Sequence, residues 1–115
     1  MHSDKKKYLV CTLEDLKKSG CYSWEMDLNK SPVQYFLIYH ENKVHSYLNR
    51  CPHTGVNLDW TTNQFLDNSN KFIQCATHGA LFSIENGLCL RGPCIGDRLV
   101  ITENEVIKGN IYLVL

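Results

Sequence analysis

Two short runs of the 115-residue chain, Cys51-Pro52-His53-Thr54-Gly55 and Cys75-Ala76-Thr77-His78-Gly79, limit its fold more than any other feature. Each puts one thiolate donor and one imidazole donor on a single tight loop, and the pairing returns after 21 intervening residues, 54 to 74. A chain that uses both pairs must bring two loops, remote in sequence, to ligand distance of a common centre. Gly55 and Gly79 fall just after the pairs. There a glycine lets backbone N–H groups approach a bound centre closely and turn at unusual φ. Zinc accepts two Cys and two His in a closed tetrahedral site, which leaves a structural zinc-binding module as an alternative. Zinc fingers, however, group the Cys in one knuckle and the His on a helix, whereas here each loop mixes the two. A Cys–His hydrolase or transferase built on Cys75 and His78 would lack a third orienting group and leave the duplicate pair without a role.

The rest of the chain bounds what surrounds these loops. Hydrophobic residues make up 43% and charged residues 21%, the balance of an ordered globular chain of about one domain. A formal net charge of zero argues against a nucleic-acid partner, which requires a basic excess to neutralise phosphates. The N-terminal lysines, Lys5 to Lys7, are followed by an apolar run that Thr12, Glu14 and Asp15 break at once, unlike a secretory signal. No stretch approaches the roughly 20 apolar residues of a spanning helix. The expectation is a cytoplasmic protein with no membrane contact, its cysteines held as thiols or metal ligands.

Short β-like runs separated by turn residues dominate the pattern. Strands are predicted at Tyr8–Cys11, Cys21–Leu28, Val33–His40 and Val44–Asn49, with a helical turn from Thr12 to Gly20 between the first two. Thr12 is its N-cap, Gly20 its close, and Lys17 and Lys18 favour its C-terminal end. Glu41-Asn42-Lys43 is read as a hairpin turn. Residues 50–93 are loop-rich, with short strands predicted at Phe72–Gln74, Leu81–Ile84 and Leu88–Leu90. Asn86-Gly87 signals a two-residue hairpin turn, since both residues tolerate positive φ. Strands return at Leu99–Thr102, Val106–Ile107 and Ile111–Leu115. Residues 1–49 and 94–115 therefore read as one β scaffold, and 50–93 as an insert carrying the chemistry.

The order Cys-x-His then Cys-x-x-His resembles that of the Rieske iron–sulfur family, in which two Cys hold one iron of a [2Fe–2S] cluster and two His hold the other. Gly79-Ala80-Leu81-Phe82 is similar to the Gly-x-x-Phe that follows the second pair in that family. Arg91-Gly92-Pro93-Cys94 stands where its proline-containing cover loop belongs. The resemblance runs from about residue 44 to 115. It implies one [2Fe–2S] cluster per chain on Cys51, His53, Cys75 and His78, with the two His at the surface tip as the exit for electrons. It also implies an all-β Rieske fold: an antiparallel β-sandwich scaffold with a small inserted cluster-binding subdomain, in a single domain.

Departures from the respiratory members point to a subtype. Those proteins brace the two loops with an additional Cys in each, and Val56 and Thr77 stand at the corresponding positions here. They also place a Ser and a Tyr where this chain has Ala80 and Phe82. Each missing hydroxyl removes a donor that would stabilise the reduced cluster. The reduction potential is therefore expected near the lower end of the range of about −150 to +300 mV for such centres. The resemblance is then to soluble Rieske ferredoxins. It implies a monomeric one-electron carrier, not itself an enzyme, that passes electrons from a flavin-dependent reductase to a terminal oxygenase or similar acceptor. The alternative in another class is the small subunit of a larger oxidoreductase, similar to that of nitrite reductase.

Other residues read more plainly. Cys11, Cys21, Cys89 and Cys94 are expected to be small buried hydrophobes. Cys89 and Cys94 flank the cover loop. His40 and His45 border a hairpin and are expected at the surface, and Trp24 and Trp60 are expected as packing anchors. Arg50 and Arg91 bracket the insert, where they serve solubility or dock an acidic partner rim.

Overall fold

The computed structural model describes residues 6–28, 31–50, 52, 66–67, 69, 71–75, 79–92 and 95–115. Cys51, His53 and His78 lie outside the described residues, as do Val56, Trp60, Thr77, Pro93 and Cys94.

Strand β1 (Lys7–Thr12) runs directly into helix α1 (Leu13–Ser19). The Thr12 side chain accepts from the Asp15 amide at 3.1 Å, and Gly20, at φ 81°, closes the helix by donating its amide to the Leu16 carbonyl at 2.7 Å. The left-handed φ is the reason a glycine ends this helix. Strands β2 (Cys21–Leu28), β3 (Ser31–His40) and β4 (Lys43–Leu48) form an antiparallel meander. The turn between β3 and β4 is shorter than expected. Only Glu41 and Asn42 form it, at φ 50° and 64°, while Lys43 already pairs with His40. Two successive positive φ values are what a two-residue turn needs to match the twist of its strands.

Three short strands follow, β5 (Phe72–Gln74), β6 (Leu81–Ser83) and β7 (Cys89–Arg91), and form a small antiparallel sheet of their own. The expected tight turn at Asn86-Gly87 is instead a four-residue loop, 84–87. The Ser83 amide donates to the Leu88 carbonyl at 2.9 Å and the Gly87 amide to the Ser83 carbonyl at 2.8 Å. Gly87 alone has positive φ there, and Asn86 Oδ1 instead accepts from the Leu88 amide at 2.9 Å. Asn86 thus acts through its side chain, as an Asx turn.

Strand β8 (Ile101–Ile107) is continuous where two strands were expected, and β9 (Asn110–Val114) closes the chain. Glu103-Asn104-Glu105 read as a break because it is polar. In the fold Glu103 is exposed and Glu105 meets Lys7 Nζ at 2.6 Å. Asn104 turns inward, donating to the Val44 carbonyl at 3.1 Å and to Ser46 Oγ at 2.9 Å.

Among the described residues, the longer strands follow the order β1-β9-β8-β4-β3-β2. β8 pairs in register with β4 at Ile101 and Thr102 and then with β9 from Glu103 to Ile107. It therefore turns the corner from one half to the other, and Leu37 of β3 comes to pack with Ile111 of β9 and Leu16 of α1. Two sheet halves facing each other across such a corner make a sandwich. The run Phe36-Leu37-Ile38 is fully buried because β3 is covered on both faces. Leu37 looks into the sandwich, while Phe36 and Ile38 look outward to Tyr47, Ile73, Phe82, Ile84 and Leu99, the core shared with the three-stranded sheet. Burying each such side chain contributes about 1.5–3 kcal/mol.

Candidate metal centre

Of the four proposed ligands, Cys75 lies among the described residues. It follows β5 directly and is fully buried in the core that includes Ile73, Ala80 and Phe82. Two backbone bonds shape its loop. The Cys75 amide donates to the Ala80 carbonyl at 2.9 Å, and the Gly79 amide donates to the Cys75 carbonyl at 2.9 Å. Gly79 sits at φ 67°, and among the described residues a Cβ there would meet Gln74 Nε2 at 3.7 Å, an ordinary contact. The left-handed backbone conformation is one that favours a glycine at this position.

Crowding governs Gly92. A Cβ on it would lie 2.9 Å from Ala80 Cα and 3.0 Å from Ala80 Cβ, and its φ is 107°. Leu81 pairs with Arg91, so the chain leaving β7 is laid directly over the residue that follows the second ligand loop. Ala80 is thus held between the Cys75 backbone and Gly92, and 1% of it remains exposed. Of the expected cover loop, 91–94, Arg91 and Gly92 are described, and Pro93 and Cys94 lie outside the described residues. A buried thiol on a loop closed by its own backbone, with a second loop pressed against that loop, fits a group that must be shielded from water. The donor set of the sequence, two Cys and two His, fits a [2Fe–2S] cluster of the Rieske kind.

Three of the other cysteines are described, and Cys21 and Cys89 belong to the same core as Cys75. Cys21 and Cys89 are buried. Cys11 is half-buried, and burial, aided by the Asp15 carboxylate, raises its pKa and keeps it a thiol.

One anchor of this region was not singled out from the sequence. Tyr47 of β4 is buried, stacks on Phe36 with ring centroids 5.0 Å apart, and donates its hydroxyl to the Ile84 carbonyl. It thereby ties the scaffold to the loop joining β6 and β7. Burial, and secondarily Glu85, pushes its pKa up, so the hydroxyl remains a donor. The signal available was the alternation His45-Tyr47-Asn49, but β4 also buries Ser46 on its opposite face, which hides which face is the inner one.

His40 and His45 are half-buried and not simple surface residues. They line a cavity of ≈ 340 Å³ with Glu41, Lys43 and Glu85, and the His45 ring stacks on Tyr47 at 6.4 Å. Burial, then His40, lowers the pKa of His45. Trp24 is the packing anchor expected, stacked between Tyr22 at 6.2 Å and Tyr35 at 5.6 Å.

Comparison with known proteins now bears on this geometry. The sequence matches the Rieske [2Fe-2S] domain over residues 6–107, and the chain belongs to that family. A member of this family binds one [2Fe–2S] cluster. No curated protein matches the chain. Among solved structures it is similar to the ferredoxin of carbazole 1,9a-dioxygenase from Nocardioides aromaticivorans IC177, at 19% identity and a TM-score of 0.70, over 94% of this chain and 96% of that one. It is similar to the plasma membrane Rieske protein PetC3 from Synechocystis PCC 6803, at 27% identity and a TM-score of 0.65, over 91% and 96%. It is also similar to a protein described as an NADH-dependent nitrite reductase small subunit from Mycobacterium tuberculosis, at 17% identity and a TM-score of 0.68, over 98% and 97%. Among the described residues, no helix is long and apolar enough to cross a membrane.

Proposed function

We propose that this protein is a one-electron carrier, a Rieske-type ferredoxin that accepts electrons from a flavin-dependent reductase and delivers them to a terminal oxygenase or similar acceptor. Cys51 and Cys75 hold one iron, and His53 and His78 hold the other. The bound cluster supplies reversible one-electron chemistry. The chain's part is to hold that geometry fixed, through the Cys75–Ala80 loop and the Gly92 contact, and to keep water from the buried Cys75 side. The protein works as a cytoplasmic monomer, is not itself an enzyme, and has a low potential within its family.

The observation that carries this reading is the family match together with likeness over nearly the whole length of a ferredoxin, 94% of this chain and 96% of that one. A second neighbour is a chain from a complex of reduced oxygenase and oxidised ferredoxin in carbazole 1,9a-dioxygenase, which supports an oxygenase as the acceptor. The likeness to a nitrite reductase small subunit supports a second reading, a subunit of a larger oxidoreductase. Such subunits often lack the four ligands, and this chain has all four.

Anaerobic purification decides between them. A carrier is brown-red, holds two irons and two acid-labile sulfides per chain, and is reduced by dithionite and reoxidised by one electron without loss of iron. A colourless protein with one zinc would establish the structural zinc module. Stable co-purification with a large flavin- or haem-containing chain would establish the subunit.

A further inference from the structure

All three arginines of the chain, Arg50, Arg91 and Arg98, fall between residues 50 and 98, and eight of its nine lysines lie outside that range. Arg50 immediately precedes Cys51, and Arg91 leads into the cover loop. Arg98 lies on the segment that returns beside β7, where Leu88 bridges to Arg98 and the Cys89 amide donates to the Asp97 carbonyl at 2.9 Å. None of the three guanidinium groups has an ion-pair partner among the described residues. Two large apolar side chains stand at the ends of the same return, Leu90 at 49% exposure and Ile95 at 68%. Gly92 packs against Ala80 and Arg91 pairs with Leu81, so the end of β7 that carries Leu90 and Arg91 lies beside the Cys75–Ala80 loop.

Exposed apolar residues rimmed by arginine, with lysine placed elsewhere, are the composition of a protein-binding face. Arginine offers a planar fork that takes carboxylates two bonds at a time, which a lysine ammonium does not. We propose that Leu90 and Ile95, framed by Arg50, Arg91 and Arg98, form the docking face for the redox partner. That partner presents an apolar centre ringed by Asp and Glu carboxylates. Asp97 lies within the face and selects against carboxylates placed opposite it. The proposal rests on the electron-carrier reading.

Two protein acceptors of opposite surface charge test it: plastocyanin with an acidic patch, and cytochrome c with a basic face. Dithionite-reduced protein gives one electron to Cu(II) of the first, forming Cu(I), or to Fe(III) of the second, forming Fe(II). Stopped-flow oxidation by plastocyanin should slow as salt is added, since salt screens attraction between opposite charges. Arg91→Glu should slow it by about five- to tenfold at low ionic strength and speed oxidation by cytochrome c. Lys108→Glu, the same change of net charge beside α1, should leave both rates within about twofold. Leu90→Ser with Ile95→Ser should slow plastocyanin oxidation without changing its salt dependence. Equal effects of Arg91→Glu and Lys108→Glu, or the same salt response with both acceptors, would overturn the docking face while leaving the carrier reading intact. Reduced protein that gives no electron to either acceptor would overturn the carrier reading itself.

Discussion

Tyr47→Phe removes one oxygen and keeps the ring, so it isolates the bond between β4 and the loop joining β6 and β7. The stack on Phe36, at 5.0 Å and 22°, survives, and no ring-sized cavity is created. What is lost is the donor to the Ile84 carbonyl, in a residue 2% exposed. Leaving a buried acceptor unsatisfied costs about 1–3 kcal/mol. For a domain of this size that lowers the unfolding temperature by about 4 °C per kcal/mol, or about 4–12 °C. Far-UV circular dichroism at pH 7, on preparations matched for iron content, measures it. The pH dependence carries the same signature. Burial first, and Glu85 second, raise the Tyr47 pKa above its ordinary 10. The neutral hydroxyl therefore contributes in full below about pH 10, and the contribution is lost as pH climbs above that towards the folded value. Tyr47→Phe should lose less stability in that alkaline window than the parent does. A variant as stable as the parent at pH 7, with an unchanged visible spectrum, would refute the role given to this hydroxyl.

Gly92→Ala should destabilise the protein by about 1–3 kcal/mol more than Gly96→Ala, because both glycines have left-handed φ but only Gly92 also faces Ala80 at 2.9 Å; denaturant midpoints of the two variants compare them. Ala80→Ser and Phe82→Tyr should each raise the reduction potential. A bond to a charged acceptor is worth about 1.5–3 kcal/mol, and a 1 kcal/mol difference between redox states is roughly 40 mV for one electron. Protein-film voltammetry reads the shift. His45 has a pKa below its ordinary 6.5 from burial and from His40, so the stability tied to its neutral ring is complete above about pH 6.5 and is lost as pH falls towards the folded value. His45→Gln should flatten that acid limb in a pH series of unfolding midpoints.

Much of the fold was legible because local chemistry and tertiary need agree. Thr12 and Gly20 end α1 as their caps require, and β2 and β5 have the predicted limits. Two of the misreadings share one cause, polar residues whose partners are remote in sequence. Asn104 looked like a loop residue because its acceptors, Val44 and Ser46, lie four strands earlier in the chain. His45 looked exposed because Glu85, which closes the cavity beside it, arrives only in three dimensions. At the proposed centre, the Cys and His spacing is a property of the sequence alone, and the need for a glycine at 79 was visible in the linear pattern. The demand on Gly92 was not, because it is set by Ala80 across the sheet.

We propose His53 and His78, and neither His40 nor His45, as the ligands that hold the cluster with Cys51 and Cys75. Iron and acid-labile sulfide counted per chain in the four single His→Ala variants, purified anaerobically beside the parent, test this most directly. The account predicts two irons and two sulfides in the parent, His40→Ala and His45→Ala, and loss of the native cluster in His53→Ala and His78→Ala. Full retention of the native cluster in either of the last two, or equal loss in His45→Ala, would contradict it.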